Sequence, residues 1–371
     1  MTNLKNIKIA YQNHHWQTLR VPLQEWKKRS TPPPVLLLTG QAGIGKNSVA
    51  SEIAQWIHCS RHGPTAMDLS ENPMAPEKLL PCQECLSCQK TQSGSQVDTL
   101  EIHSEGNPES SSSGSLKSGV LKIDQFRSIQ STAGFGALEG QFKIILIPSA
   151  DRMTSQAANS VLKLLEETPP HWIFILTATD TSLLLPTLVS RCQTLRLKPF
   201  SISEIEQILL QTELPLEKTK ICALLSQGST SRAFQFAQEE FWEKRKLFFE
   251  FLKEPSRAVL NLMEWAIADP SHFEVLIDSL EQLTADLLRW SVSSDRVDPA
   301  DYSWENFDAK ESLVSQIKWA IQKFKNLPAA RSFWIEQAER LAQVRQEMTL
   351  PLNRKLLVQD ILFTWLGRTT P

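Results

Sequence analysis

The chain has 371 residues, with 39 basic side chains against 41 acidic ones, a formal net charge of -2, 41% hydrophobic and 22% charged residues. Such a composition is that of a soluble globular chain of two or three domains and excludes fibrous and wholly disordered classes. No apolar run approaches the roughly 18 to 20 residues that cross a bilayer, and the opening Met1-Thr2-Asn3-Leu4 lacks the apolar stretch of a signal peptide. A cytoplasmic location is expected, and the near-neutral charge does not support a dedicated duplex-DNA binder.

In chain order, Trp16, Leu19, Leu23 and Trp26 predict one face of a short helix that Pro32-Pro33-Pro34 stops. Val35–Thr39 has the length and character of a buried parallel strand, and the spacing of Val49, Ile53, Ala54 and Ile57 predicts a helix from Lys46 to about His58. A cysteine-bearing insertion at 60–96 precedes a strand at Val97–Ile102. Residues 104–119, rich in serine, have little to bury and read as a surface loop. A helix near Ile123–Thr132, a strand at Phe142–Ile147, a helix capped by Thr154 and a strand at Trp172–Leu176 follow. Strands alternating with helices predict a three-layer α/β domain ending near Lys198-Pro199-Phe200. Beyond it the texture is helical. Ser203 and Glu206 suggest a capping box, Leu216–Leu225 and Ser231–Ala237 two further helices, and apolar stripes continue to Leu362. The aromatic excess, 16 Phe and 11 Trp against 2 Tyr, falls partly in these stripes and suits core or inter-subunit packing better than base stacking.

Between the first strand and helix lies Gly40-Gln41-Ala42-Gly43-Ile44-Gly45-Lys46, the spacing of a phosphate-binding loop. In such a loop successive amides and the lysine cradle the phosphates of a nucleotide. The equipment for hydrolysis is altered. A Ser or Thr hydroxyl after the lysine holds Mg²⁺ in active relatives of the motif, whereas Asn47 stands here and Ser48 comes one position late. The strand at Phe142–Ile147 ends in Pro148-Ser149 where acids would organise metal and water, and the first acid is Asp151. The expectation is slow or absent ATP hydrolysis, with ATP/Mg²⁺ binding left open. Thr179, at the tip of the strand at Trp172–Leu176 beside the loop, is placed to sense a γ-phosphate.

Cys82, Cys85 and Cys88, with Cys59 separated from the first of them by twenty-two residues, supply four thiolates. Four soft ligands without a histidine among them point to structural Zn²⁺ rather than a catalytic ion, with coincidence or an iron–sulfur cluster as weaker readings and His58 and His62 as disfavoured substitutes.

Together these features resemble the clamp-loader branch of the AAA+ ATPases, and within it the delta-prime family of the bacterial DNA polymerase III clamp loader. The resemblance rests on Gly40–Lys46, the four cysteines, Val97–Ile102, Ile123–Arg127, Ala150–Met153 with Ala157-Ala158-Asn159 and Leu162–Glu167, and Ser190-Arg191-Cys192. It covers residues 30–235. It implies an AAA+ domain with a zinc module over 1–198, a helical lid over 199–240 and a helical collar over 241–371. It further implies that Arg191 is an arginine finger acting on the ATP site of a neighbouring subunit. Gly40, Gly43, Gly45, Lys46, Asn47 and Ser48 would be the nucleotide-binding remnant, Thr179 the first sensor and Arg232 the second. The implied partners are gamma/tau and delta subunits, and, through the assembled complex, the sliding clamp and primer-template DNA. Two alternatives remain: a gamma/tau-type ATPase subunit, and a zinc-bearing nucleic-acid-binding scaffold.

Overall fold

The computed structural model describes residues 2–66, 76–102, 121, 126, 136–167, 171–253, 255–293, 298–302, 304, 306–347 and 353–365. The expected loop at 104–119 and nearly all of the expected helix at 123–132 lie outside them. Two compact units emerge, Met1–Leu214 with Ser226–Ala233, and Pro215–Leu225 with Phe234–Pro371.

The first unit is built on a five-stranded parallel sheet. Its strands are β1 (Val35–Thr39), β2 (Thr99–Glu101), β3 (Lys143–Ile147), β4 (Trp172–Ala178) and β5 (Gln193–Arg196), in the spatial order β2-β3-β4-β1-β5. β1, β3 and β4 are buried along their whole length, which is why they read as unbroken apolar runs rather than as alternating ones. Their residues divide by parity. Leu36, Leu38, Ile144, Leu146, Ile173 and Ile175 pack with helices α1 (Thr2–Arg29) and α2 (Lys46–His58) on one face. Val35, Leu37, Ile145, Ile147, Phe174 and Leu176 pack with Ala157, Val161 and Leu164 of α4 (Ser155–Glu166) on the other. Helix α3 (Leu86–Gln92) belongs to the cysteine module beside α2. A parallel strand pair needs a crossover, and here the crossovers supply both helical layers.

Several boundaries differ from the sequence expectation. α1 runs to 28 residues rather than forming a short helix, with Pro22 inside it and Leu19, Leu23 and Trp26 on its buried face. β2 is confined to three residues because the stretch before it turns to bring Asp98 under the 138–140 loop. The capping box lies two residues earlier than expected. Ser201 caps the helix Ile202–Leu209 and exchanges hydrogen bonds with Glu204. The same Ser-x-x-Glu spacing occurs twice, and the one directly after Phe200 wins because Ser201 has the extended backbone of a cap whereas Ser203 is already helical.

The second unit is helical throughout its named elements, including Leu216–Leu225, Glu239–Lys253, Pro255–Ala268, Pro270–Ser293, Lys310–Phe324, Leu327–Glu347 and Arg354–Trp365. Its core gathers Phe248, Leu262, Leu276, Leu283, Trp290, Leu313, Trp334, Leu362 and Trp365. Here the aromatic residues are packing elements, since Trp290, Trp334 and Trp365 are all buried. Arg245 is buried too, and its guanidinium donates to both carboxylate oxygens of Asp308 and to Asn306 Oδ1. Asn306 in turn donates through its backbone and side-chain nitrogens to buried Asp286. Each buried charge thus faces fixed partners, the condition under which burying it is tolerated.

Candidate phosphate loop, arginine and cysteine cluster

The phosphate loop links β1 to α2, and its carbonyl side is gripped by two distant segments. The buried His15 donates from Nε2 to Ile44 O at 2.9 Å. Thr230 Oγ1 and Ser231 N both donate to Gly43 O, at 3.0 and 3.1 Å. Gly43 has φ +76° and lies against the Ser229 side chain, so glycine is required there on two grounds. His14 extends the same clamp, hydrogen-bonded to Glu204 Oε1 and Lys198 O and stacked on Phe200 at 3.9 Å between ring centroids. The sequence hinted at this clamp only through an adjacent histidine pair and a Gly-Ser-Thr-Ser run.

Lys46 is buried and donates to Gly40 O and Gln41 O at 2.8 Å and to Thr179 Oγ1 at 3.2 Å. Burial pushes its amine down to about 8, opposed by the charge of Asp151. The structure therefore brings Lys46 and Thr179 together, as the motif spacing suggests. Asn47 is held by the sheet: Thr177 Oγ1 donates to Asn47 Oδ1 at 2.8 Å and itself accepts the Ser149 N–H at 2.9 Å. Ser48 is exposed on the first turn of α2. Asp151, the first acid after β3, has a defined task. Its Oδ2 accepts the backbone N–H groups of Thr179 and Asp180, at 2.7 and 3.2 Å, and fixes the tip of β4. Ser149 takes a left-handed conformation, φ +53°, where the resemblance implies an acid in the motor subunits.

Burial pushes the His15 imidazole down to about 4. Folding therefore favours its neutral form. The associated stability is fully present above the unfolded value of 6.5 and is lost as pH falls from 6.5 toward 4, by up to about 3 kcal/mol. Thermal melting from pH 7 to pH 4 checks this: His15→Gln should lose markedly less stability over that window than the parent chain.

Arg191 follows the short helix α5 (Pro186–Val189) on the α4 side of the sheet. It is exposed, donating to Thr187 O at 2.9 Å and to Glu166 Oε1, at the end of α4, at 3.0 Å. An exposed ion pair of this kind contributes no more than about 1 kcal/mol, so the guanidinium can exchange that carboxylate for another anion at little cost. Arg232 stands in the helix beginning at Thr230, the helix whose first residues grip Gly43.

Cys59, Cys82, Cys85 and Cys88 converge, all four sulfurs lying within 4.8 Å of one another. Cys82–Cys88 and Cys59–Cys85 separations are 3.9 and 4.0 Å. A tetrahedron with Zn–S bonds of about 2.3 Å has edges of about 3.8 Å, so the donor set and its size fit one zinc ion. Backbone N–H groups of His62 and Cys85 donate to the sulfurs of Cys59 and Cys82, as expected around thiolates. The hydrogen bond shared by Cys59 and Cys88 draws the Cys59 thiol down from its ordinary value and pushes Cys88 up. His58 and His62 are engaged elsewhere, with Thr99 Oγ1 and Leu80 O.

The family described as DNA polymerase III, delta subunit, matches residues 15–201, half of the chain. The chain is 25% identical over 266 residues to the DNA polymerase III subunit delta' of Bacillus subtilis, covering 70% of this chain and 73% of that protein. It is 29% identical over 199 residues to the tau/gamma subunit of Haemophilus influenzae, covering 52% of this chain and 25% of the relative, whose length it therefore spans only in part. It is 29% identical over 215 residues to the delta' subunit of the same organism, covering 57% of this chain and 58% of the relative. Phosphate loop, parallel sheet and cysteine cluster stand within a sequence match that covers them all, and the chain belongs to the DNA polymerase III, delta subunit, family of AAA+ clamp-loader proteins.

Proposed function

We propose that this chain is the non-hydrolysing, delta-prime-type subunit of a DNA polymerase III clamp loader. In this reading it is a fixed wall against which ATP-driven gamma/tau neighbours close while the sliding clamp is loaded onto primed DNA. One observation carries it: the strand tip beside the phosphate loop has Pro148-Ser149 in place of acids, and the nearest carboxylate, Asp151, is committed to backbone amides. Neither Pro148 nor Ser149 supplies a carboxylate that could activate water. Arg191, exposed and held by a weak ion pair and one backbone carbonyl, is free to meet a neighbour's γ-phosphate. The cysteine cluster holds Zn²⁺ as a structural ion, the segment 199–240 acts as the lid, and the helices of 241–371 form the collar that meets the gamma/tau and delta subunits.

The tau/gamma relatives support a second reading, a motor subunit that hydrolyses ATP itself. Steady-state turnover of the purified chain separates the two. The stator reading expects no turnover from the chain alone and DNA-stimulated turnover once it joins gamma/tau and delta subunits. A rate of about 1 s⁻¹ or more from the chain alone, ordinary for an enzyme, establishes the motor reading instead.

A further inference from the structure

The metal that accompanies nucleotides in AAA+ phosphate loops does not fit this one. Mg²⁺ requires hard oxygen ligands in near-octahedral array. The protein supplies them after the loop lysine and at the neighbouring strand tip. At the first place stands Asn47, whose single side-chain oxygen is occupied by the Thr177 hydroxyl. The Thr177 hydroxyl accepts the Ser149 N–H and gives its own proton to Asn47 Oδ1, so both of its polar roles are used within the sheet. Asn47 therefore presents its NH₂ group outward, in an exposed position and with no protein acceptor among the described residues. At the second place Pro148 has no side-chain oxygen, Ser149 offers a neutral hydroxyl where a carboxylate would stand, and Asp151 Oδ2 already accepts two backbone N–H groups. Directly after the loop lysine, where a cation would need an oxygen, Asn47 offers a donor.

The half of the site that meets phosphate is preformed. In a trans peptide the C=O and the following N–H point in opposite directions. Thr230 and Ser231 hold Gly43 O, and His15 holds Ile44 O, so the N–H groups of Ile44 and Gly45 are turned to the opposite side of the loop. These two amides and that of Lys46 have no protein acceptor among the described residues. Unpaired amides at the start of a 13-residue helix, with the Lys46 amine beside them, suit a polyanion.

We propose that the loop at residues 40–46 takes the polyphosphate of a nucleotide free of divalent metal, with Asn47 Nδ2 donating to a phosphate oxygen that a metal would otherwise cover. This rests on the AAA+ reading of the loop and is independent of the role of Arg191, so normal turnover in an Arg191→Ala complex leaves it standing.

Calorimetric titration of the full chain with ATP, once in EDTA and once in excess Mg²⁺, tests it. Binding in EDTA is expected, and Mg²⁺ should weaken it by about threefold or more because it withdraws the metal-free nucleotide from solution. Lys46→Ala should weaken binding in EDTA by about tenfold or more, and Asn47→Thr, which restores a hydroxyl, should reverse the preference so that Mg²⁺ tightens binding. Affinity of the parent chain that is unchanged or improved by Mg²⁺ overturns the proposal. So does the absence of binding in EDTA up to about 1 mM ATP.

Discussion

Replacing Arg191 with alanine is expected to lower the DNA-stimulated ATP turnover of the reconstituted clamp loader by at least about tenfold, and by as much as about 10³-fold if Arg191 supplies the full effect of an arginine finger. The effect is large because a guanidinium stabilises charge that develops on the transferred phosphoryl group, in a site where few other cations can replace it. Little of the loss should come from folding. Arg191 is exposed, its bond to Glu166 is a surface ion pair, and its remaining contact is with Thr187 O. The variant should therefore melt within about 1 kcal/mol of the parent and assemble normally. Arg191→Lys should restore little, since a lysine lacks the planar fork that addresses two phosphate oxygens at once. Size-exclusion chromatography establishes assembly, and turnover of the assembled fraction gives the result. Normal turnover in an intact complex would remove Arg191 from the role.

The second large effect is expected at the cysteine cluster. Cys88→Ser should abolish stoichiometric zinc, measured by atomic emission on the purified chain, and destabilise the first unit by about 4–5 kcal/mol or more. Cys88 is fully buried in α3, its sulfur lies 3.9 Å from that of Cys82, and its carbonyl accepts Gln55 Nε2 from α2. Removing one ligand leaves three thiols and no compensating hydrophobic core, because the local cluster consists of the cysteines themselves. Limited proteolysis should find new cleavage between residues 59 and 95. Retention of one zinc per chain with unchanged melting would exclude the four-thiolate site. Added chelator should reproduce the variant's behaviour in the parent protein.

Much of the first unit was legible because its determinants are local. β1, β3 and β4 are runs of apolar residues long enough for a strand and too short for a helix, α2 carries its own helical period, and Thr154 caps α4 by accepting the Ala157 N–H as its position suggests. Four cysteines at close spacing find each other because only short or modest loops must close around them. The capping box slipped by two residues because two Ser-x-x-Glu sets overlap and local spacing cannot choose between them.

The sites were legible in identity but not in connection. Lys46 and Thr179 were paired by the motif, and the structure places them 3.2 Å apart. The commitment of Asp151 to Thr179 and Asp180, and of Asn47 to Thr177, joins residues 28 to 130 positions apart, and no local pattern encodes them. His15 reaches Ile44 and Thr230 reaches Gly43 over still other separations, 29 and 187 residues.

The sequence by itself determined the chemistry available to this protein: an anion-binding loop with its lysine, no acid at Pro148-Ser149 where the strand at Phe142–Ile147 ends, four thiolates at metal-binding spacing, and Arg191 in Ser190-Arg191-Cys192. These are properties of residue type and of short spacing, and the chain carries them in any conformation. Only the tertiary structure decided which way the polar groups face. A hydrogen bond has direction, and whether Asn47 offers an oxygen or an NH₂ group depends on a hydroxyl and an amide brought from β4 and the end of β3.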